Sequence, residues 1–305
     1  MSINADTLLY RLHLKAQVAR WRLVAVLAVA AAILVYLETT GSHSPIEGDF
    51  IARLTIEGVV MDDQKLYDLI TDVEENTRAK AVVVWLDTPG GSAVAGEEVY
   101  FKLRQLSKKK PVVAVIRSVA ASAGYMIALG ADHVIAREGS ITGSIGVLIE
   151  TVEVTELTEK LGIKPVVIKT SPLKAAPNPL EKVTPEAEQV VRTVINDFYE
   201  RFVDIVTERR KLPREHVVSL ADGRIYSGKR AMKYKLIDGL GGEKEALLWL
   251  QKHKDVSKNL EIKDISIKEP MGVFDGLAES ASKIFFKSSS LRLDGIAAVW
   301  HPELH

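Results

Sequence analysis

A chain of 305 residues in which 40 Lys and Arg balance 40 Asp and Glu has no net charge, and 47% of its residues are hydrophobic. The balance excludes the basic footprint that nucleic-acid binding requires; the length allows one large domain or two small ones, and the hydrophobic fraction is enough for a real core. With no cysteine, disulfides, thiolate metal sites and a cysteine nucleophile are excluded too.

The first element is apolar. Residues 23–37, LVAVLAVAAAILVYL, hold no polar side chain but the Tyr36 hydroxyl, and Arg11, Lys15, Arg20 and Arg22 all precede them. The run predicts a transmembrane anchor over 23–38, residues 1–22 in the cytoplasm and the body of the chain on the outer, periplasmic or extracellular, side. A cleaved signal peptide is the rival reading, although no A-x-A site follows Tyr36. The polar stretch 39–49 reads as a linker. From Phe50 strands alternate with helices: strand 50–60, helix 62–78, strand AVVVWL (81–86), a DTPGGS turn, helix 93–107, strand PVVAVI (111–116), a turn at Ser122, helix to about Leu129, and strand ADHVIA (131–136). Strands apolar on both faces that alternate with helices predict a buried, mostly parallel sheet in an α/β domain over 50–252. VVIK (166–169) reads as a further strand, and Thr184–Pro185 opens a long amphipathic helix over 184–211. Residues 253–305 have weaker periodicity and read as a C-terminal extension, a peripheral end or a peptide that enters an active site.

Three stretches could carry chemistry. DTPGG (87–91) ends an apolar strand, where adjacent glycines expose backbone N–H groups; it is a plain Pro-Gly turn or an oxyanion cradle. Ser122 lies in Ala120-x-Ser122-x-Gly124 at a strand-to-helix junction, which suits a capping serine or a nucleophile on a tight elbow. A nucleophilic serine needs a base. His13, His43, His133, His216, His253, His301 and His305 fall in the N-terminus, the linker, a strand and charged or terminal segments, and no Ser–His–Asp arrangement emerges. A desolvated lysine is the other option. Lys174 stands in the proline-rich stretch VVIKTSPLKAAPNP, although most lysines are solvated surface charges.

DTPGGS (87–92), SVAASAGYMIAL (118–129), ITGSIGV (141–147), IKTSPLKAAPNP (168–179) and DGRIYSGKRAMKYKLIDGLGG (222–242), in this order behind an apolar N-terminal run, resemble the signal peptide peptidase A family of membrane-anchored Ser–Lys proteases. The resemblance covers about residues 50–250 and implies the crotonase/ClpP-like fold. It implies that Ser122 is the nucleophile, Lys174 the general base, Ser144 a hydroxyl that orients the lysine, and Gly91, with Gly90, and Ala123 the oxyanion donors. The family often has two glycines after the nucleophile; this chain has Ala123–Gly124. The resemblance also implies a ring-like homo-oligomer, cleaved signal peptides and similar membrane-derived peptides as substrates, contact with membrane lipid through the N-terminal helix, and no metal or other cofactor. It implies activity that rises with pH as the lysine loses its proton. The alternatives are a crotonase-type acyl-CoA enzyme and a non-catalytic membrane scaffold of the same fold.

Overall fold

In the computed structural model the described residues are 48–266 and 297–299, with 14–15, 17–27 and 29 near the N-terminus. The latter are helical and exposed, and belong to a unit separate from residues 49–305. Among the described residues no helix is long and apolar enough to cross a membrane. The anchor predicted over 23–38 falls largely outside them, as does most of the linker.

The main unit is a nine-stranded sheet, counted among the described residues, with helices around it. Strands β1 (Phe50–Val60), β2 (Ala79–Ser92) and β3 (Val112–Ala121) form its centre and are parallel. Ala81, Val82, Val83 and Val84 are fully buried, because a parallel sheet is covered on both faces. Helix α1 (Gln64–Glu75) connects β1 to β2, and α2 (Ala93–Lys109) connects β2 to β3. Asp63 caps α1 through its carboxylate, which accepts from the Lys65 and Leu66 amides, and Ser92 caps α2 by accepting from the Ala95 amide. After β3 come α3 (Ala123–Ala128), β4 (His133–Ala136), β5 (Ile141–Gly143), the short helix α4 (Thr155–Lys160), α5 (Pro185–Arg210), α6 (Arg214–Leu220), β6 (Ile225–Ser227), α7 (Gly228–Lys233), β7 (Gly239–Leu240), α8 (Glu243–Lys254), β8 (Glu261–Ile265) and β9 (Ala297–Val299). One face of the sheet packs Ile51, Val83, Val113 and Ile135 against Ala246 and Leu250 of α8.

The feature that positions the site is a fork in β3. Its first half, Val113–Ile116, pairs with β4, and its second half, Val119–Ala121, pairs with β5. The fork leaves β2 without β3 beyond Thr88↔Ala120. The edge beside Gly90–Ser92 is taken instead by β9, antiparallel, with Gly90↔Val299, Gly91↔Ala298 and Ser92↔Ala297.

The structure differs from three sequence expectations. DTPGGS is not a turn but the end of β2. Val59 and Val60 of β1 pair with Gly90 and Gly91, and Pro89 falls at an unpaired position where its missing N–H costs no ladder bond. The strand predicted at 111–116 runs on to Ala121. VVIK is not a strand; residues 163–169 have no regular structure and Ile168 is 95% exposed.

Candidate active site

Ser122 is the residue between β3 and α3. Its φ of 56° and ψ of −123° put it in a region that residues with a side chain rarely occupy. The Ser122 amide donates to the Gly143 carbonyl at 2.8 Å, and its carbonyl accepts from Tyr125 and Met126. These bonds on both sides hold the elbow. The Ser122 hydroxyl caps nothing, so the capping reading fails and the side chain is left for other work. α3 behind it is fully buried, anchored by the Tyr125 hydroxyl donating to the Leu236 carbonyl at 2.7 Å.

Small residues are required around this turn by contact distances. A Cβ on Gly124 would lie 2.7 Å from Thr88 Cγ2, and one on Gly96 would lie 2.8 Å from the Ala123 Cβ. α3 therefore sits directly against the end of β2 and against α2. Ala123 opens α3 directly after Ser122. The first amides of a helix have no intrahelical acceptor. Gly90 has φ of +113°, and its amide donates to Thr88 Oγ1 at 3.1 Å. With that N–H engaged, Gly91 is the better placed of the two glycines to serve a substrate. Thr88, fully buried, holds the Gly90 backbone through its hydroxyl; spacing alone did not single it out, although it stands in the DTPGG stretch.

Ser144 comes next to Ser122 through the β3–β5 register. Ala121 pairs with Gly143, so the residue after each strand end is a neighbour of the other. Ser144 too has a positive φ, 50°, with its amide donating to the Arg224 carbonyl at 2.9 Å.

Lys174 is placed differently. No residue from 146 to 186 is buried, and Lys174 itself is exposed. Among the described residues its ammonium makes no hydrogen bond with Ser122 or any other group. Lys169, in contrast, is committed to Glu181 at 2.5 Å. The single chain thus sets Ser144 beside Ser122 through the strand register, with Ala123 next in sequence, and packs α3 against Thr88 near the Gly90–Gly91 strand end, but it does not pair Lys174 with them. The segment that carries Lys174 is an arm with exposed apolar side chains, among them Val166, Ile168 and Leu173.

The family model for peptidase family S49 matches residues 104–257. The chain belongs to peptidase family S49. A Methanocaldococcus jannaschii relative named as a protease is 37% identical over 213 residues, covering 70% of this chain and 68% of that protein. A similarly named Synechocystis relative is 38% identical over 201 residues, covering 65% of this chain and 72% of its own. The chloroplast serine protease SPPA of Arabidopsis thaliana is 29% identical over 230-odd residues, 234 in all, that are 75% of this chain and 34% of that one. As an S49 member the chain is a serine protease that acts on peptides. The family match takes in Ser122, Ser144 and Lys174 and begins after Gly90–Gly91.

Proposed function

We propose that the chain is a membrane-anchored endopeptidase that works with a Ser122–Lys174 dyad and cleaves signal peptides and similar membrane-derived fragments. The observation that carries the reading is the Ser122 elbow: a buried serine at positive φ, its hydroxyl free of any capping role, with Ser144 beside it in the strand register and Ala123 opening the helix that follows. Lys174 in neutral form takes the Ser122 proton, and Ser122 attacks the peptide carbonyl. The Gly91 and Ala123 amides stabilise the tetrahedral anion, and Lys174 protonates the leaving amine. Water activated by the same lysine then releases the acyl-enzyme.

The exposed arm supports a ring in which Lys174 of one subunit serves Ser122 of the next. Burial against a neighbour would desolvate the lysine and favour its neutral form, and would cover Val166, Ile168 and Leu173. Substrate adds as a strand on the edge of Gly90–Ser92, a mode that β9 already exemplifies. The segment 23–38 anchors the assembly to the membrane with the peptidase domain outside the cytoplasm.

The test uses the full chain in detergent with a fluorogenic peptide, comparing the parent protein with Ser122→Ala and Lys174→Ala, each checked by circular dichroism. Both variants are expected to be folded and inert, and mixed assemblies of the two are expected to regain part of the activity. An active Lys174→Ala variant would refute the dyad. Two inert variants that stay inert when mixed would refute the shared site.

A further inference from the structure

A cleft of about 470 Å³ lies between the starts of α1 and α2, beside the end of β2, and nothing in the proposed mechanism uses it. Its polar lining is Asp62, Gln64, Tyr67, Ser92, Glu98 and Lys102. Gln64 spends its amide on Asp68 at 2.8 Å. Lys102 lies 3.9 Å from Glu98 and its ammonium sits 5.7 Å from the centre of the Tyr67 ring. One ammonium therefore faces two carboxylates, and among the described residues that line the cleft there is no second cation.

A second observation points to an occupant. Tyr67 is only 5% exposed, and its hydroxyl, itself out of reach of solvent, is turned to the Asp62 carboxylate. Burial, and then the nearby Asp62 carboxylate, push its pKa up to about 12, so it stays a neutral phenol. A neutral phenol directed at Asp62 fixes that carboxylate in the cleft without neutralising it, which leaves its charge for an incoming ammonium or guanidinium.

The strand direction connects the cleft to substrate. Because β9 is antiparallel to β2, Val299 faces Gly90 and Ala297 faces Ser92. A peptide bound in the same sense presents its scissile carbonyl near Gly91 and leads its upstream residues past Ser92, which lines the cleft. We propose, on the reading that Ser122 is the nucleophile, that this cleft is a specificity subsite for a lysine or arginine side chain upstream of the cleaved bond. An extended chain advances about 3.3 Å per residue, which puts the cationic residue roughly third to fifth before that bond.

The experiment uses the full chain and peptides that differ only by Lys, Ala or Glu at each of these positions, the cleaved bond being located by mass spectrometry. At one position or more, kcat/KM with Lys should exceed that with Glu by about fivefold, as for one partly exposed ion pair. The difference should reside in KM and shrink at high salt. Asp62→Asn combined with Glu98→Gln should remove it while leaving the Ala peptide within about twofold of the parent value. Equal rates for Lys and Glu at every position, or a preference unchanged in the double variant, would overturn the proposal. Labelled forms of the same peptides are also bound to the full-length Ser122→Ala protein. Tighter binding of the Lys peptide there supports the subsite even where hydrolysis fails. Equal binding, or none for any peptide, overturns it whatever the hydrolysis assay gives.

Discussion

Gly91→Ala tests how closely the centre of the sheet and the proposed oxyanion cradle depend on one another. A Cβ at this position would lie 1.9 Å from the Val60 carbonyl oxygen and 2.6 Å from the Val60 carbonyl carbon and nitrogen. Unstrained carbon contacts begin near about 3.5 Å, so the two strands must separate by more than about 1 Å at this point. The obstacle is backbone inside a parallel pair, Val60↔Gly91, and no side-chain rotation can relieve it. Overpacking of this kind costs about 1–3 kcal/mol, equivalent to roughly 3–10 °C in Tm for a domain of this size. Because the shifted amide is the one proposed to bind the anion, kcat/KM should fall by about 10²–10³-fold. The assays are thermal unfolding by circular dichroism and hydrolysis of a fluorogenic peptide, with Gly139→Ala as control. A Cβ at Gly139 meets nothing within 4 Å, and that variant should stay within about 0.5 kcal/mol of the parent. If Gly91→Ala matched Gly139→Ala in both Tm and turnover, the argument from the β1–β2 contact would be wrong.

Three further outcomes are expected. Ser122→Gly relieves about 1–3 kcal/mol of strain at φ 56° against about 0.5–1 kcal/mol of added unfolded-chain entropy, so it should be inactive yet more stable in urea titration by up to about 2.5 kcal/mol; a clear loss of stability would show the elbow to be unstrained. Ala298→Pro should loosen β9 from β2 and raise kcat/KM for added peptides several-fold, and an unchanged or lower value would show that β9 does not compete for the edge. Burial alone would raise the Asp238 pKa, but the Arg210 hydrogen bonds at 3.0 and 2.7 Å hold it below the usual carboxylate range. A depressed pKa adds stability that is present above the unfolded-state value and is lost as the pH falls through the folded-state value. Asp238→Asn leaves the Arg210 side chain, 9% exposed, without its partner. It should cost about 2–4 kcal/mol at neutral pH, with a gap that narrows toward acid; a gap independent of pH would refute the ion-pair account.

Much of the sheet was legible because burial on both faces leaves unbroken apolar runs, as at 81–86 and 111–116. The end of β2 was not, because Pro89-Gly90-Gly91 carries the local signature of a turn. Only the bulge of β1 at Gly58 and the departure of β3 make an extended path there possible. VVIK has strand composition, yet it lies in an arm with no sheet beside it to pair with. At the site, Ser122 stood out through its small neighbours, whose spacing reflects the contacts of Gly124 with Thr88 and of Gly96 with Ala123. The β3–β5 register that adds Ser144 is a long-range pairing that no local pattern encodes. Lys174 stands out in the sequence by its proline-rich stretch and by resemblance, whereas one chain provides no burial or partner that would distinguish it from other surface lysines.

The Gly96–Ala123 contact links the size of the residue after the nucleophile to a position on another helix. The two sites together have room for a single methyl group, and this chain puts it at 123. Exchanging the pair, Gly96→Ala with Ala123→Gly, conserves that volume, whereas Gly96→Ala alone overfills it. In drift or in engineering, then, positions 96 and 123 are one shared allotment of space, and a change at either is readable only alongside the other.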